Sequence, residues 1–579
     1  MHSFRLALAQ INPIVGDLQG NKKQILHYIN LARSNGADLV AFPEMSVTGY
    51  PAEDLLYKPS FIKENLDVTR EIVRASKNIV SVVGFVDLDE NLYNAAAISS
   101  EGNLIDIYHK IHLPNYGVFD EDRYFNVGNT ASVYKINGVT VGVTICEDSW
   151  YQLGPMASQE KAGAELIINI NASPYETGKQ IIREQTMFAR ANEHGLYIAY
   201  VNAVGGQDEL VFDGSSFVLD PTGTIVCRAK RFEEDLVIFD LNINSMLISK
   251  IRNEKSPKNS SFSSQPSRTC KFFQISEYKK SNKSELVPHS EPTPISETEE
   301  IYQALVAGTL DYVRKSGFEK VIIGLSGGID SALTACIATD ALGPDNVIGV
   351  SMPSRFSSQG SILDAQELSQ NLGINLWSIP IEEAHQAYMD ILEEPFAETD
   401  SGIAEENLQP RIRGTILMAI SNKFGWMVLA TGNKSEMAMG YATLYGDMAG
   451  GFAVLKDVPK TTVYKLAEFI NLTGSSIPKI PQSTLNKPPS AELKPGQTDQ
   501  DSLPPYEILD PILKNYIEED LSFGDIVSLG YDESMVRNVI AAVDRNEYKR
   551  RQAPPGVKIS PKAFGKDRRL PIVNHYKQT

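Results

Sequence analysis

Apolar residues in the first part of the chain fall in short runs: Leu6-Ala7-Leu8-Ala9, Leu39-Val40-Ala41-Phe42, Val80-Ser81-Val82-Val83, Val141-Gly142-Val143-Thr144-Ile145, Leu166-Ile167-Ile168 and Tyr197-Ile198-Ala199-Tyr200-Val201. Stretches of helical periodicity separate them, and strands alternating with helices predict an α/β layered unit over residues 1–245. Between 246 and 296 the pattern dissolves. Asn259-Ser260-Ser261-Phe262-Ser263-Ser264 and Lys279-Lys280-Ser281-Asn282-Lys283-Ser284 are polar and aperiodic, which reads as a linker. From 297 to 579 the alternation returns, with a helix starting near Glu297 and strands at Val321-Ile322-Ile323, Val347-Ile348-Gly349-Val350, Leu376-Trp377-Ser378-Ile379 and Met427-Val428-Leu429-Ala430. Strands separated by helices predict a parallel, doubly wound sheet. Residues 478–505, rich in Pro, Ser, Lys and Gln, are too long for an ordinary connection and are expected to form a mobile active-site loop.

At 579 residues the chain exceeds what one hydrophobic core supports, which agrees with two large units. An apolar fraction of 42% and a charged fraction of 22% are those of a packed globular protein. The net charge of −18 opposes non-specific binding to nucleic acid or an anionic membrane, so an anionic substrate must meet a local basic site. No apolar stretch approaches the roughly 18 residues needed to cross a bilayer, and Met1-His2-Ser3-Phe4-Arg5 leads straight into the first strand. A cytosolic location is expected, with neither nucleic acid nor membrane as a partner. Cys146, Cys227, Cys270 and Cys336 are scattered without a CxxC pair, which argues against a zinc site or a redox couple.

The strand ending at Leu325 runs into Ser326-Gly327-Gly328-Ile329-Asp330-Ser331, after which apolar residues resume at helical spacing through Ala332, Leu333, Ala335 and Cys336. Strand, glycine turn and helix N-terminus make an anion site: glycines let phosphate approach backbone N–H groups, and Ser326 and Ser331 add hydroxyl donors. Asp330 is an acid in this setting and fits as a ligand of a Mg²⁺ ion that bridges phosphates. The GxxxxGK[ST] pattern of a Walker loop is missing. A second strand end, Ala430-Thr431-Gly432-Asn433-Lys434-Ser435-Glu436, offers Glu436 as a further metal carboxylate, although an ordinary acid at a helix start fits it equally. Arg411 and Arg413, with Lys456 and Lys460 beyond Gly450-Gly451, supply cations for phosphates.

SGGIDS resembles the SGGxDS loop of the N-type ATP pyrophosphatases, whose doubly wound, Rossmann-like sheet is of the adenine nucleotide alpha hydrolase type. Residues 297 to 571 resemble the synthetase domain of the NAD⁺ synthetases in SGGIDSA, Met352-Pro353-Ser354-Arg355-Phe356-Ser357-Ser358, ENLQPRIRG, ATGNKSE, Tyr445-Gly446-Asp447 and VPKT at 458–461. That resemblance implies that ATP adenylates the nicotinate carboxylate of deamido-NAD⁺ and that ammonia then displaces AMP. It assigns Mg²⁺ to Asp330 and Glu436, and ATP to Ser326, Gly327, Gly328, Asp330, Ser331, Arg411 and Thr431. It places Asn407, Asp447, Lys456 and, in the basic segment Glu547-Tyr548-Lys549-Arg550-Arg551, Lys549 near deamido-NAD⁺.

Three residues in the first unit stand just beyond strands: Glu44 in FPE, Lys110 in His109-Lys110-Ile111-His112-Leu113, and Cys146 in Cys146-Glu147-Asp148-Ser149-Trp150. An ammonium beside a thiol is expected to lower its pKa, a carboxylate can take its proton, and the ammonium with a backbone N–H can stabilise an oxyanion. Such a set cleaves an amide through a thioester. A single cysteine in an α/β strand, taken in isolation, is more often buried packing, and the pair His109 and His112 reads as structural, since no third metal ligand accompanies it. FPE, YHKIHLPNYGVFDE and CEDSW, in this order, resemble the nitrilase superfamily. The resemblance implies an α-β-β-α sandwich over residues 1–245 with Glu44 as base, Lys110 as oxyanion partner, Cys146 as nucleophile and Glu121 as a supporting glutamate.

An ammonia-releasing unit fused to an ammonia-consuming one resembles the glutamine-dependent NAD⁺ synthetases, which form homo-oligomers. Tyr116, Glu121, Trp150, Ser173 and Lys179 are then expected around glutamine. Competing readings are another glutamine-fuelled enzyme of the same ATP class, a nitrilase-type amidase carrying a nucleotide-binding module, and a scaffold without activity. The second predicts no AMP product; the third leaves two sets of chemical groups unused.

Overall fold

The computed structural model describes residues 3–242, 269–278, 283–286, 292–473 and 477–577. The chain divides into two compact units, residues 1–207 with 212–294 and residues 208–211 with 295–579.

The first unit holds two large sheets. One has six strands, from edge to edge Asp235–Asn242, Ser3–Gln10, Leu39–Ala41, Val80–Asp89, Asn91–Ser100 and Asn103–His109. The other has seven: Ile225–Arg228, Phe217–Leu219, Tyr197–Asn202, Leu166–Asn171, Val139–Ile145, Ala131–Ile136 and Cys270–Gln274. Side chains alternate across each strand, so Leu6 and Leu8 face Val141, Val143, Ile145 and Ile168 in a core between the sheets. Ala7 and Ala9 face outward onto Ile25, Ile29, Val68 and Ile72 of the helices Leu18–Ser34 and Pro59–Ala75. Behind the other sheet, Ile167 and Ile198 meet Met156, Met187 and Ala191 of Pro155–Lys161 and Lys179–His194. Strands buried on both faces explain why the sequence shows continuous apolar runs. The layers are α-β-β-α.

The segment expected to be only a linker contributes structure: Cys270–Gln274 pairs in parallel with Ala131–Lys135 as the seventh strand. It sits at the sheet edge, where Phe273 stacks on Tyr134 while Phe272 is exposed, so its apolar pattern is too short and too one-sided to stand out. Asn259–Ser264 and 279–282 lie outside the described residues.

The second unit is built on five parallel strands in the order Asn375–Ser378, Val347–Ser351, Val321–Gly324, Met427–Ala430, Phe452–Ala453. The order reverses direction beside Val321–Gly324, and in such sheets ligands bind in the crevice outside the carboxyl ends of the strands at that point. A separate helical core joins Leu509, Ile512, Ile526, Val536, Val539 and Val543 from Tyr506–Ile517, Phe523–Ser528 and Glu533–Arg545.

Residues 478–505 are folded rather than structureless, with a helix at Gln482–Asn486 and a turn of 3₁₀ helix at Asp499–Asp501. The segment is strapped to the glycine loop: Lys487 Nζ donates to the Gly327 carbonyl at 3.2 Å, and Glu492 Oε1 accepts from the Ser361 hydroxyl at 2.7 Å.

Candidate active sites

In the first unit Glu44, Lys110, Glu121 and Cys146 come together at the rim of the two sheets, each no more than 4% exposed. Lys110 Nζ donates to Glu44 Oε1 at 2.7 Å and to both Glu121 oxygens at 2.8 and 2.9 Å. The turn that carries Glu44 passes so close to the neighbouring strand that a Cβ on Gly84 would lie 2.3 Å from the Pro43 carbonyl oxygen and 2.4 Å from Met45 N. Only glycine fits there. Cys146 opens a 3₁₀ turn, Cys146–Ser149, with φ +43°, a left-handed conformation that a non-glycine residue adopts at a cost of about 1–3 kcal/mol and that is concentrated at functional turns.

The thiol differs from expectation. Burial pushes its pKa well up, the Glu44 carboxylate adds to this, and Lys110 opposes without prevailing. Lys110 itself stays charged, because Glu121 and Glu44 outweigh the burial that pulls it down. The ammonium is committed to the two glutamates, and burial with the nearby Glu44 carboxylate favours the neutral form of the Cys146 thiol.

Sequence reasoning missed the groups that hold the glutamates. Asn94 Nδ2 donates to Glu44 Oε1 at 2.7 Å and to Glu121 Oε2 at 3.3 Å, the Tyr50 hydroxyl donates to Glu121 at 3.0 Å, and the Ala172 N–H donates to Glu44 Oε2 at 2.9 Å. The available signal for Asn94 was a lone amide between Tyr93 and a run of alanines on a strand.

In the second unit the loop Ser326–Ser331 closes the end of Val321–Gly324. Ser326 Oγ and Ser331 Oγ lie 3.2 Å apart, and Gly328 N–H donates to Ser326 Oγ at 3.2 Å. Gly327 has φ +77°, and a Cβ there would stand 2.2 Å from the Ser361 carbonyl oxygen. Asp330 and Glu436 converge on one ammonium: Lys460 Nζ donates to Asp330 Oδ2 at 2.5 Å and to Glu436 Oε1 at 3.3 Å. Asn433 caps the helix Lys434–Met439 and donates to Asp330 Oδ1 at 2.9 Å. Burial, with Asp330 and Asp499 nearby and Lys460 opposing, pushes Glu436 up to about 8. Asp330 and Glu436 are two carboxylates of the kind Mg²⁺ takes alongside phosphate oxygens, while the loop's hydroxyl and backbone N–H groups suit phosphate itself. The loop opens on a cavity of about 270 Å³ whose wall includes Ser326, Gly328, Asp330, Ser331, Arg413, Thr431, Glu436, Asp447 and Lys460.

Comparison with known proteins decides the family. The family model described as carbon-nitrogen hydrolase matches residues 5–247, and that described as NAD synthase matches residues 301–553. A glutamine-dependent NAD(+) synthetase of Thermotoga maritima is 49% identical over 586 residues, covering 100% of both chains. The chain belongs to the glutamine-dependent NAD⁺ synthetases. The corresponding protein of Aquifex aeolicus is 48% identical over 99% of this chain and 100% of its own. A solved structure from Acinetobacter baumannii, a glutamine-dependent NAD⁺ synthetase in complex with ADP, is 41% identical with a TM-score of 0.74 over 100% of both chains.

The residues expected around glutamine in this NAD⁺ synthetase are placed unevenly. The Tyr116 hydroxyl donates to Glu147 Oε2 at 3.0 Å, directly beside Cys146, and Lys179 Nζ lies 5.4 Å over the Trp150 ring while pairing with Glu176 at 3.0 Å. Ser173 follows Ala172, and its Oγ accepts from Arg183 Nε at 3.1 Å. His109 pairs with Asp87 at 2.8 Å and stacks on Tyr93. At the second site, Arg413 lines the cavity, whereas Arg411, two residues away on the same helix, donates to the Leu444 carbonyl at 3.3 Å. Asn407 accepts from Thr443 Oγ1 at 2.8 Å, and the Thr443 N–H donates to Asp447 at 2.7 Å. Lys549 donates to the carbonyls of Gly440 and Ala442, and Lys456 to that of Pro554, so both brace backbone rather than line the cavity.

Proposed function

We propose that Cys146, Glu44 and Lys110 release ammonia from glutamine, and that Ser326–Ser331, Asp330 and Glu436 serve the ATP-dependent amidation of deamido-NAD⁺. The chain is an ATP-dependent ligase with glutamine as its amide donor. The observation that carries the residue assignment is the buried Glu44–Lys110–Glu121 cluster beside a cysteine on a left-handed turn.

Glu44 accepts the thiol proton as Sγ attacks the glutamine carboxamide carbon. Lys110 and the backbone N–H after Cys146 stabilise the oxyanion. Glu44 returns the proton to the departing ammonia, then takes one from the water that cleaves the thioester to glutamate. Glu121 keeps the ammonium charged and oriented.

In the second unit the loop and the N-terminus of Ile329–Leu342 receive the phosphates of ATP. The nicotinate carboxylate attacks the α-phosphorus, pyrophosphate leaves, and ammonia displaces AMP at the acyl carbon. Asp330 and Glu436 would hold Mg²⁺, which neutralises phosphate charge when bound; Lys460 lies beside both and is within reach of the same phosphates. The places of Thr431 and Asp447 in the cavity wall support their assignment to ATP and to deamido-NAD⁺ respectively. A cytosolic location goes with a free nucleophilic thiol and a supply of ATP, and the family resemblance supports a homo-oligomer.

Incubation with deamido-NAD⁺, ATP, Mg²⁺ and glutamine should yield AMP and NAD⁺ in equal amounts. NAD⁺ absent even when ammonium is supplied would refute the assignment of the second site.

A further inference from the structure

Lys110 and Cys146 stand on different sheets: Lys110 follows the edge strand Asn103–His109 of the six-stranded sheet, and Cys146 follows Val139–Ile145 of the seven-stranded one. Their alignment therefore depends on something that fixes one sheet end against the other. Asp148, fully buried, does this with four bonds. Oδ1 accepts from the N–H groups of Ile111 at 3.0 Å and His112 at 2.8 Å, the two residues after Lys110. Oδ2 accepts from the hydroxyl of Tyr108 at 2.7 Å, two residues before Lys110, and from the N–H of Ile145 at 3.1 Å, immediately before Cys146. Capping the 3₁₀ turn Cys146–Ser149 explains the bond from Ile145 alone. The other three come from the strand end that carries the lysine.

We propose that Asp148 is a positioning residue for glutamine hydrolysis, one carboxylate that locks the lysine-bearing strand end to the nucleophile turn. It touches neither substrate nor reacting atoms. The inference rests on the assignment of Cys146 and Lys110 above. The cost of losing the lock is set by geometry, since a displacement of about 1 Å between reacting groups can lower a rate about 100-fold.

The test uses the full chain with Asp148→Asn, Tyr108→Phe and Cys146→Ala, measuring glutamine hydrolysis and ammonium-driven NAD⁺ formation. Asparagine keeps the shape of the side chain, but in either orientation of its amide one side of the lock sets N–H against N–H. For Asp148→Asn the expected result is a glutamine kcat lower by about 10- to 100-fold, KM little changed and ammonium-driven synthesis retained. Tyr108→Phe, which removes one bond of the four, should fold normally and lower kcat in the same direction by less. A wild-type kcat in Asp148→Asn overturns the proposal, as does an equal loss of both activities with a smaller folded fraction, which would make Asp148 merely structural. If Asp148→Asn does not accumulate, a wild-type kcat in Tyr108→Phe overturns it. Glutamine hydrolysis persisting in Cys146→Ala would instead refute the assignment of the nucleophile, on which the inference stands.

Discussion

Two glutamates and one ammonium are buried together beside Cys146, and their balance bears on the acidity of the thiol. The lysine is held by Glu44 and Glu121, and burial with the Glu44 carboxylate pushes the thiol pKa up against its opposing pull. Because the thiol pKa is raised, the thiolate fraction keeps growing as pH rises. Alkylation of Cys146 by iodoacetamide should therefore accelerate up to about pH 9 without a plateau, the ordinary thiol pKa of about 8.5 being exceeded. A plateau reached below pH 7 would mean a thiolate–ammonium pair. Lys110→Met should remove glutamine hydrolysis and leave the two carboxylates facing each other, at a cost of about 3–5 kcal/mol to the first unit in chemical denaturation. Protonating a glutamate relieves that repulsion, so the loss should be smaller at pH 6 than at pH 8. The convergence of Cys146, Glu44 and Lys110 was legible in the sequence because each follows a strand in a distinctive motif. The direction of the thiol pKa was not, because it depends on burial and on how many carboxylates surround the group. Asn94 and Asp148 were overlooked for a related reason, as their partners lie on other strands.

Elements reach their sites through close approaches that glycine permits. At Gly84 an added methyl collides with the backbone of the Glu44 turn, and at Gly327 it collides with Ser361 while the φ of +77° is itself unfavourable. Gly84→Ala should lower glutamine-driven synthesis by at least about tenfold and spare ammonium-driven synthesis, since it displaces the turn that carries Glu44, within the first unit. Gly327→Ala should impair both nitrogen sources alike, because the amidation proposed at this loop follows either one. Steady-state rates with each source check the pair. A Gly84→Ala enzyme equally slow with ammonium would mean that the turn serves folding rather than catalysis. Central strands were readable from their apolar runs, as burial on both faces demands. The edge strand Cys270–Gln274 and the folded strap at 478–505 were not, because their order comes from pairing with Ala131–Lys135 and from contacts such as Lys487 with Gly327.

At the scale of the molecule, two chemistries reside in two units, each with its own core, its own sheet order and its own charged cluster. Within the acidic total of −18, the cations Arg413 and Lys460 stand in the wall of the second unit's cavity, where the proposed function needs positive charge for phosphates. This division of labour implies that each site can be disabled without disabling the chemistry of the other. Asp330→Asn should cut NAD⁺ formation from either nitrogen source by removing charge at the phosphate site, with glutamine binding and thioester formation still possible at Cys146. The most direct test of the division is NAD⁺ formation by Cys146→Ala with glutamine and with ammonium. The account predicts no NAD⁺ from glutamine and near wild-type formation from ammonium, and an equal loss with both sources would contradict it.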